Sequence, residues 1–214
     1  MLGQPISAPD RGPGMRWLVL YLRCRGVPAA SVAVVAAVLT TWSLWTGFSD
    51  ARQVDTFLVM LTIALLVAAA GGTLAGPDEA LERTASVPWP PRRAVHLLVT
   101  FAVLVLLLAL TLVTDARFTS FERVVRDVTG LLGLTALGAA ALGAHRAWFL
   151  PLSGTVLAVI FVRYDTAFSR LASWPLQPVD VTAAAVIAAV LGLAGAVAYI
   201  SRGSAPRATD ATLT

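Results

Sequence analysis

The chain has 214 residues, of which 57% are hydrophobic and 13% charged, and its mean hydropathy is +0.79. These values lie outside the usual range of soluble domains and predict an integral membrane protein. All 16 basic residues are arginine, a bias typical of alanine-rich proteins from GC-rich bacterial genomes, and they form no basic cluster. We therefore expect no nucleic-acid partner. Cys24 is the single cysteine, which excludes an intrachain disulfide.

The N-terminal region precedes the first long apolar stretch. Residues 1–14 are rich in proline and glycine and lack the apolar core of a secretory signal, so we expect a disordered cytoplasmic tail. Residues 15–25, MRWLVLYLRCR, contain an apolar run too short to cross a bilayer. This pattern predicts an interfacial helix with Arg16 and Trp17 as membrane-interface anchors. The alternative is that the run lengthens the first span.

Six apolar stretches are long enough, or nearly so, to cross the hydrocarbon layer, which requires about 20 helical residues. They predict an all-α, polytopic membrane protein whose six-span domain occupies residues 15–200. The fourth and fifth stretches are short and are separated by His145 and Arg146, which favours a tight helical hairpin over one broken, re-entrant element. The predicted spans are residues 27–47, 57–75, 94–114, 128–144, 148–162 and 181–200.

The distribution of arginine predicts the orientation of the spans. With a cytoplasmic N-terminus, ten arginines and five acidic residues lie inside, against six arginines and seven acidic residues outside. Because cytoplasmic loops carry the excess of positive charge, we expect both termini in the cytoplasm of a bacterial cell whose plasma membrane holds the protein. Residues 201–214 then form a second cytoplasmic tail.

Two further patterns concern the outer loop and the last span. Phe118, Phe121, Val125 and Val128 recur at helical spacing, which predicts a surface-lying helical segment before the fourth span. In the sixth span, small residues recur every fourth position and favour close helix packing or a dimer face, although an alanine-rich composition alone can produce this pattern. They are Ala184, Ala188, Gly192 and Ala196.

No charged residue lies near the middle of any predicted span. This argues against a proton-coupled carrier, a charged ion channel and a voltage sensor, because such functions place ionisable groups within the membrane. His96 and His145 fall at span ends without a metal-binding motif, so we expect no metal site and no catalytic residue. A lipid-modifying enzyme would need polar groups clustered at one face, and ordinary loop charges explain the outer ones more simply.

The longest polar interval inside the hydrophobic region is GPDEALERTASVPWPPRR, residues 76–93. Pro77, Asp78 and Glu79 are typical of a helix start, which predicts a helix of two or three turns. Pro88, Pro90 and Pro91 are expected to end it in an extended bend. Arg92 and Arg93 then anchor the start of the third span at anionic headgroups. The simpler alternative is a solvated loop that only joins two spans.

Several of these residues resemble a known family. Leu81-Glu82-Arg83, Pro88, the pair Arg92-Arg93 and Leu97-Leu98 are similar to the cytoplasmic loop of type-2 ABC exporter permeases. The resemblance implies a coupling helix from Glu79 to Ala85 that contacts a nucleotide-binding ATPase. It also implies an interfacial helix before span one, six spans and cytoplasmic termini. The segment SRLASWPLQP, residues 169–178, is similar to the final outer loop of actinobacterial permease-like proteins.

The resulting hypothesis is a transmembrane subunit of an ATP-driven exporter of an apolar or amphipathic substrate. The predicted ATPase contacts are Glu79, Leu81, Glu82 and Arg83. The sequence has no GxxxxGK[ST] phosphate loop, so ATP and Mg are expected in partner ATPase subunits and no cofactor in this chain. A second permease copy or paralogue is expected to complete a dimer. The alternative is a non-transporting immunity, anchoring or regulatory module.

Overall fold

The structure is a computed structural model that describes residues 19–20, 22–23, 25–49, 54–74, 89–113, 119–164 and 166–205. Within these ranges the chain is helical and contains no β-strand. Seven α-helices occur in the order α1 Val27–Phe48, α2 Thr56–Gly71, α3 Trp89–Leu110, α4 Phe121–Leu142, α5 Phe149–Phe161, α6 Ala167–Ala172 and α7 Thr182–Arg202.

Six helical segments are long and apolar enough to cross a membrane, which confirms the predicted number. Short 3-10 turns extend some of the α-helices, so the six segments are Val27–Phe48, Thr56–Leu74, Trp89–Val113, Phe121–Leu142, Ala144–Phe161 and Thr182–Arg202. The all-helical fold class is therefore observed, and it is compatible with a multi-pass membrane protein.

The N-terminal helix is described only in part. Val19, Leu20, Leu22 and Arg23 are helical, whereas Gly26 has φ 67° and separates them from α1. Since left-handed backbone is unfavourable for residues with a Cβ, glycine allows the chain to turn here. Pro28 follows in the first turn of α1, where its missing N–H has no intrahelical acceptor. Within residues 15–25, the structure describes residues 19–20, 22–23 and 25. The interfacial position of the predicted helix therefore stays a prediction.

Helix α3 begins earlier than predicted, at Trp89, and contains both Pro90 and Pro91 in its first turn. The predicted extended bend at these two prolines is therefore wrong. The first N–H groups of a helix have no intrahelical partner, so two prolines can occupy this turn without losing a hydrogen bond. Residues 89–93 of the predicted coupling loop belong to this helix, and residues 75–88 lie outside the described part.

Helix α4 also begins earlier than predicted. From Phe121 onward, the segment predicted as a surface-lying helix is helical and continues without a break into α4. Its position at the membrane surface stays a prediction. The Ser120 side chain accepts a hydrogen bond from the Arg123 N–H at 3.4 Å, and Glu122 lies in the first turn, where an acid complements the helix dipole. The charged side chains that follow in α4, Arg123, Arg126 and Asp127, have hydrogen-bond partners inside the protein.

Helices α4 and α5 form the predicted tight hairpin. They are joined by Gly143 with φ 86° and a 3-10 turn at Ala144–Arg146. Gly138 lies against Ala147, since a Cβ at Gly138 would be 2.8 Å from the Ala147 carbonyl oxygen. The chain beyond α7 returns to this hairpin, where the Ala205 N–H donates to the Ala139 oxygen at 2.9 Å.

Helices α2 and α4 form the centre of the bundle. About two thirds of the most apolar window of each is buried (61% and 67%), against 11%, 17% and 22% for α1, α3 and α7. Their buried side chains form one apolar core that includes Ile63, Val67, Val128 and Leu131. The helices α1, α3 and α7 therefore leave large apolar surfaces that suit contact with lipid or with another chain.

The closest helix contact is between α4 and α7. A Cβ at Gly195 would lie 2.1 Å from the Gly133 carbonyl oxygen, so only glycine permits this approach. The buried residues of α7 are Ala184, Ala188, Gly195 and Tyr199, whereas the predicted stripe continued through Gly192 and Ala196, which are half-buried. A strict four-residue repeat rotates around the helix by about 40° per step at 100° per residue, so it cannot follow one neighbour for long.

Candidate functional site

The predicted ATPase contacts Glu79, Leu81, Glu82 and Arg83 lie outside the described residues, as do the predicted anchors Arg16 and Trp17. The two ends of the loop that holds the contacts are described. Its first end is the 3-10 turn Gly72–Leu74 after α2, and its second end is the start of α3 at Trp89. Both ends lie at the same face of the bundle, which we call the Arg25 end.

Four polar side chains meet at the Arg25 end, and we call Arg25, Thr73, His96 and Tyr199 the Arg25 cluster. Arg25 is 3% exposed, and its Nη1 donates to the Thr73 carbonyl oxygen at 3.4 Å and to the Tyr199 hydroxyl at 3.3 Å. The Tyr199 hydroxyl in turn donates to the Leu74 carbonyl oxygen at 2.9 Å. Through these contacts, the residue before α1 and the last turns of α2 and α7 are connected.

The side chain of Thr73 connects the cluster to α3. Its hydroxyl donates to the Ala70 carbonyl oxygen at 2.7 Å and also lies 3.1 Å from His96 Nε2. The direction of the second bond depends on the tautomer of His96. The Arg25 cluster therefore joins the ends of four spans, namely α1, α2, α3 and α7, and it includes residues on both sides of the loop 75–88.

The two predicted anchors on α3 have different surroundings. Arg92 is half-buried, and its guanidinium carbon lies 5.5 Å from the centre of the Trp89 ring, a cation–π distance. Arg93 is buried at 9% exposure and packs against Gly203, where a Cβ would lie 2.7 Å from the guanidinium carbon. Because Gly203 follows the last turn of α7, Arg93 brings positive charge to the negative end of that helix. Contact of either arginine with lipid headgroups stays a prediction.

A second polar site lies at the opposite face, the Arg126 end, within the first two turns of α4. Arg126 is 7% and Asp127 1% exposed, and Arg126 Nε donates to Asp127 Oδ1 at 2.9 Å. Arg126 also donates through Nη1 to the Pro178 carbonyl oxygen and through Nη2 to the Pro175 carbonyl oxygen, both at 3.1 Å. The sequence analysis did not single out this pair.

The charges of the described residues differ between the two ends. The six arginines at the Arg25 end are Arg23, Arg25, Arg92, Arg93, Arg146 and Arg202. The Arg126 end has four arginines, and all four carboxylates of the described residues lie there, namely Asp55, Glu122, Asp127 and Asp180. Within the described ranges, no group of three His, Cys, Asp or Glu side chains could hold a metal ion.

Two open grooves run along the side of the bundle. The larger, of about 620 Å³, lies between α3 and α7 over α4 and is lined by apolar side chains with Thr129. The smaller, of about 380 Å³, lies between α4 and α7 nearer the Arg126 end and reaches Glu122 and Arg126. Both grooves contain Thr129 and Ala189, so they adjoin each other on the side of the bundle.

The sequence analysis did not predict which side chains meet to form the two polar sites. Arg25, His96 and Tyr199 each lie at a span end, but nothing in the local pattern indicates that they meet. Arg126 and Asp127 were visible as adjacent charges, and their position just before an apolar stretch was a signal that they start the fourth span.

Within the described residues, this chain belongs to the class of all-helical proteins with six helices suited to crossing a membrane. It has a polar cluster at each end of the bundle. No protein family, curated protein or solved structure that was compared matches this chain.

Proposed function

We propose that this chain is the transmembrane subunit of a type-2 ABC exporter, which couples a separate cytoplasmic ATPase to export of an apolar or amphipathic substrate. The main support is the Arg25 cluster. The hydrogen bond between Thr73 and His96 joins the two sides of the loop 75–88, and Arg25 and Tyr199 connect the same point to α1 and α7.

A force applied to this loop has a direct path into the bundle. Movement of the turn Gly72–Leu74 displaces the acceptors of Arg25 and Tyr199, which are the carbonyl oxygens of Thr73 and Leu74. Because these groups are buried, breaking their bonds without new partners is costly, so the helix ends move together. ATP-driven docking at Glu79 to Ala85 would therefore reach four spans at once. The predicted contacts are Glu79, Leu81, Glu82 and Arg83.

The proposed orientation places the Arg25 end in the cytoplasm. Six of the ten described arginines lie at that end, and the described carboxylates lie at the other. This asymmetry agrees with the excess of positive charge in cytoplasmic loops. The ATPase would then meet the loop 75–88 from the same side as both termini, in the plasma membrane of a bacterial cell.

A dimer is part of the proposal. The helices α1, α3 and α7 leave most of their apolar windows exposed, so they offer surfaces to a second permease copy or a paralogue. The apolar lining of the larger lateral groove supports a substrate with a hydrocarbon part, which could reach the complex from within the bilayer. ATP and Mg would bind in the ATPase subunits, since this sequence has no phosphate loop.

The test uses the permease reconstituted with an ATPase encoded beside it, measuring co-purification and substrate-stimulated ATP hydrolysis. Glu82→Arg is expected to keep the complex assembled and to abolish most of the stimulation, because it reverses the charge of the proposed contact. Asp180→Arg reverses an exposed acid at the Arg126 end that lines neither groove, so it should leave stimulation unchanged. Equal stimulation in both variants, or labelling of Glu82→Cys from outside the cell, would overturn the proposal.

The second candidate is a non-transporting membrane module whose loop only recruits a partner. It is favoured by the packed centre of α2 and α4 and by two grooves that open sideways, since neither feature requires a path for substrate. An assembled complex whose ATP hydrolysis responds to none of a panel of lipids, drugs and peptides would support this candidate instead.

A further inference from the structure

The connection between α5 and α7 folds into the Arg126 end of the bundle. It begins with a capping box in which Thr166 and Ser169 exchange side-chain to backbone hydrogen bonds of 3.1 and 2.9 Å and start α6. Phe168 then packs edge-to-face on Phe161 at 5.0 Å between ring centres, which turns α6 back over the end of α5. Ser169 and Ser173 are both buried, so this connection has an inner face.

Trp174 follows α6 and inserts its ring among the spans. It is 5% exposed, and the 3-10 turn Trp174–Leu176 contacts α2, α5 and α7. Its ring also lies on α4 at Gly130, where a Cβ would be 2.2 Å from Trp174 Cη2. Glycine at this position creates the space for the ring, so the tryptophan fills the point where four helices meet.

Arg126 holds this connection in place. Its guanidinium donates to the carbonyl oxygens of Pro175 and Pro178, which flank the end of the inserted turn, while Asp127 fixes its third nitrogen. The planar guanidinium group of arginine can donate to both carbonyl oxygens at once. The compact ammonium group of lysine does not match this two-point geometry. Arg126 therefore attaches the connection to α4 at two points.

A buried ion pair is a poor choice if stability alone is required. Apolar side chains of similar volume often stabilise a buried position as well or better, and in some proteins a buried polar or ionic group instead selects one conformation over another. Here the pair lies where a short connection meets the bundle, and turns at residues 162–163 and 179–180 flank that connection. These features suit a segment that has a docked and an undocked position.

We propose that residues 166–178 form a removable plug, latched by Arg126, which closes the Arg126 end of the bundle and exposes the Gly130 face of α4 to water when it opens. The docked state is favoured because it buries Trp174 and satisfies Arg126. Opening withdraws the Trp174 ring and separates the guanidinium from both proline carbonyls. This inference rests on contacts within the chain and does not depend on the proposed exporter function.

The test measures opening through the reactivity of a buried thiol. Ser173→Cys, which changes a side chain that is 6% exposed, is introduced into a Cys24→Ser background and reacted with a water-soluble maleimide in proteoliposomes. Leu171→Cys, at a position 55% exposed on α6, reports labelling of an accessible site in the same connection. The Ser173→Cys protein should react slowly and the Leu171→Cys protein rapidly.

Arg126→Lys should increase the labelling rate of Ser173→Cys by about tenfold or more, because the hydrogen bonds from the guanidinium group to the two proline carbonyls are lost. It should leave the Leu171→Cys rate unchanged. Arg123→Lys is the matched control, since Arg123 lies one turn earlier on α4 and its hydrogen bond reaches Thr56 Oγ1 at 3.5 Å, outside the connection. Its Ser173→Cys rate should equal that of the parent.

A second pair of variants keeps the test decisive if Arg126→Lys folds poorly. Arg126→Met with Asp127→Asn removes the pair without leaving a buried charge, and Gly130→Ala pushes on the Trp174 ring while the latch stays intact. Each should speed Ser173→Cys labelling. The plug is refuted if none of these variants changes that rate, if Arg123→Lys raises it equally, or if Ser173→Cys reacts as fast as Leu171→Cys in the parent.

Discussion

Thr73 and His96 form a hydrogen bond of 3.1 Å although 23 positions separate them and the connection between α2 and α3 lies between them. The loop 75–88 is thereby closed at its base. In the proposed exporter, this bond would pass a displacement of the loop to both helices.

The Thr73 hydroxyl is the link between α2 and α3. Thr73→Val keeps the shape of the side chain but removes the hydrogen-bond partner of His96, so it should lower the free energy of unfolding by about 1–3 kcal/mol. Thr73→Ser, which retains the hydroxyl, should lose clearly less. Unfolding in detergent measures both, and equal losses would mean that the methyl group matters rather than the hydrogen bond.

The Tyr199 hydroxyl joins α7 to the same cluster. Tyr199→Phe leaves the Leu74 carbonyl oxygen without its 2.9 Å donor and removes an acceptor of Arg25, so we expect a loss of about 1–3 kcal/mol. Tyr164→Phe is the control, because Tyr164 is 61% exposed. Its stability should match that of the parent, and a Tyr199→Phe protein that behaves in the same way would contradict the assigned role.

Gly195 sets the distance between α4 and α7. Gly195→Ala places a Cβ where only 2.1 Å separates it from the Gly133 carbonyl oxygen, so the two helices must move apart at a cost of about 1–3 kcal/mol. Gly47→Ala, near the end of α1, has no heavy atom within 4 Å of the new Cβ. That control should be neutral or slightly stabilising, since alanine favours helix more than glycine does.

Gly203 has to accommodate both a positive φ and the Arg93 guanidinium. Its φ of 76° and ψ of −164° fall in a region almost restricted to glycine, so Gly203→Ala should cost about 1–3 kcal/mol from the backbone alone. The same variant also displaces Arg93, whose guanidinium carbon is 2.7 Å from the new Cβ. Its loss of stability in thermal unfolding should therefore be smaller in an Arg93→Ala background than in the parent. Gly26→Ala, whose new Cβ has no heavy atom within 4 Å, should cost the same in both backgrounds, and an equal loss for Gly203→Ala in both would refute the contact.

Much of the fold could be predicted from local sequence. The number of spans, the hairpin around His145 and Arg146 and the turn before Pro28 each depend on residues close together in the chain. The errors occurred at span ends. Pro90 and Pro91 were interpreted as a bend, and Arg126 was placed outside the membrane-crossing helix, because propensity scales do not include partners that arrive from distant segments.

The candidate sites were less predictable. The coupling residues Glu79, Leu81, Glu82 and Arg83 were chosen from a loop pattern, and they stay a prediction because they lie outside the described residues. The Arg25 cluster that supports their proposed role could not be found in this way. Arg25 meets Tyr199 across 174 positions, and no local pattern encodes such a contact.

By itself, the sequence determined that the chain is helical and supplies six apolar spans, because length and hydropathy act within each segment and the bilayer requires backbone groups to be satisfied within a helix. Only the tertiary structure decided which side chains face one another. It brought Thr73 to His96, Arg126 to the carbonyls of Pro175 and Pro178, and Trp174 to the space above Gly130. These contacts depend on how helices pack, and packing depends on the shape and close approach of surfaces that are distant in the chain.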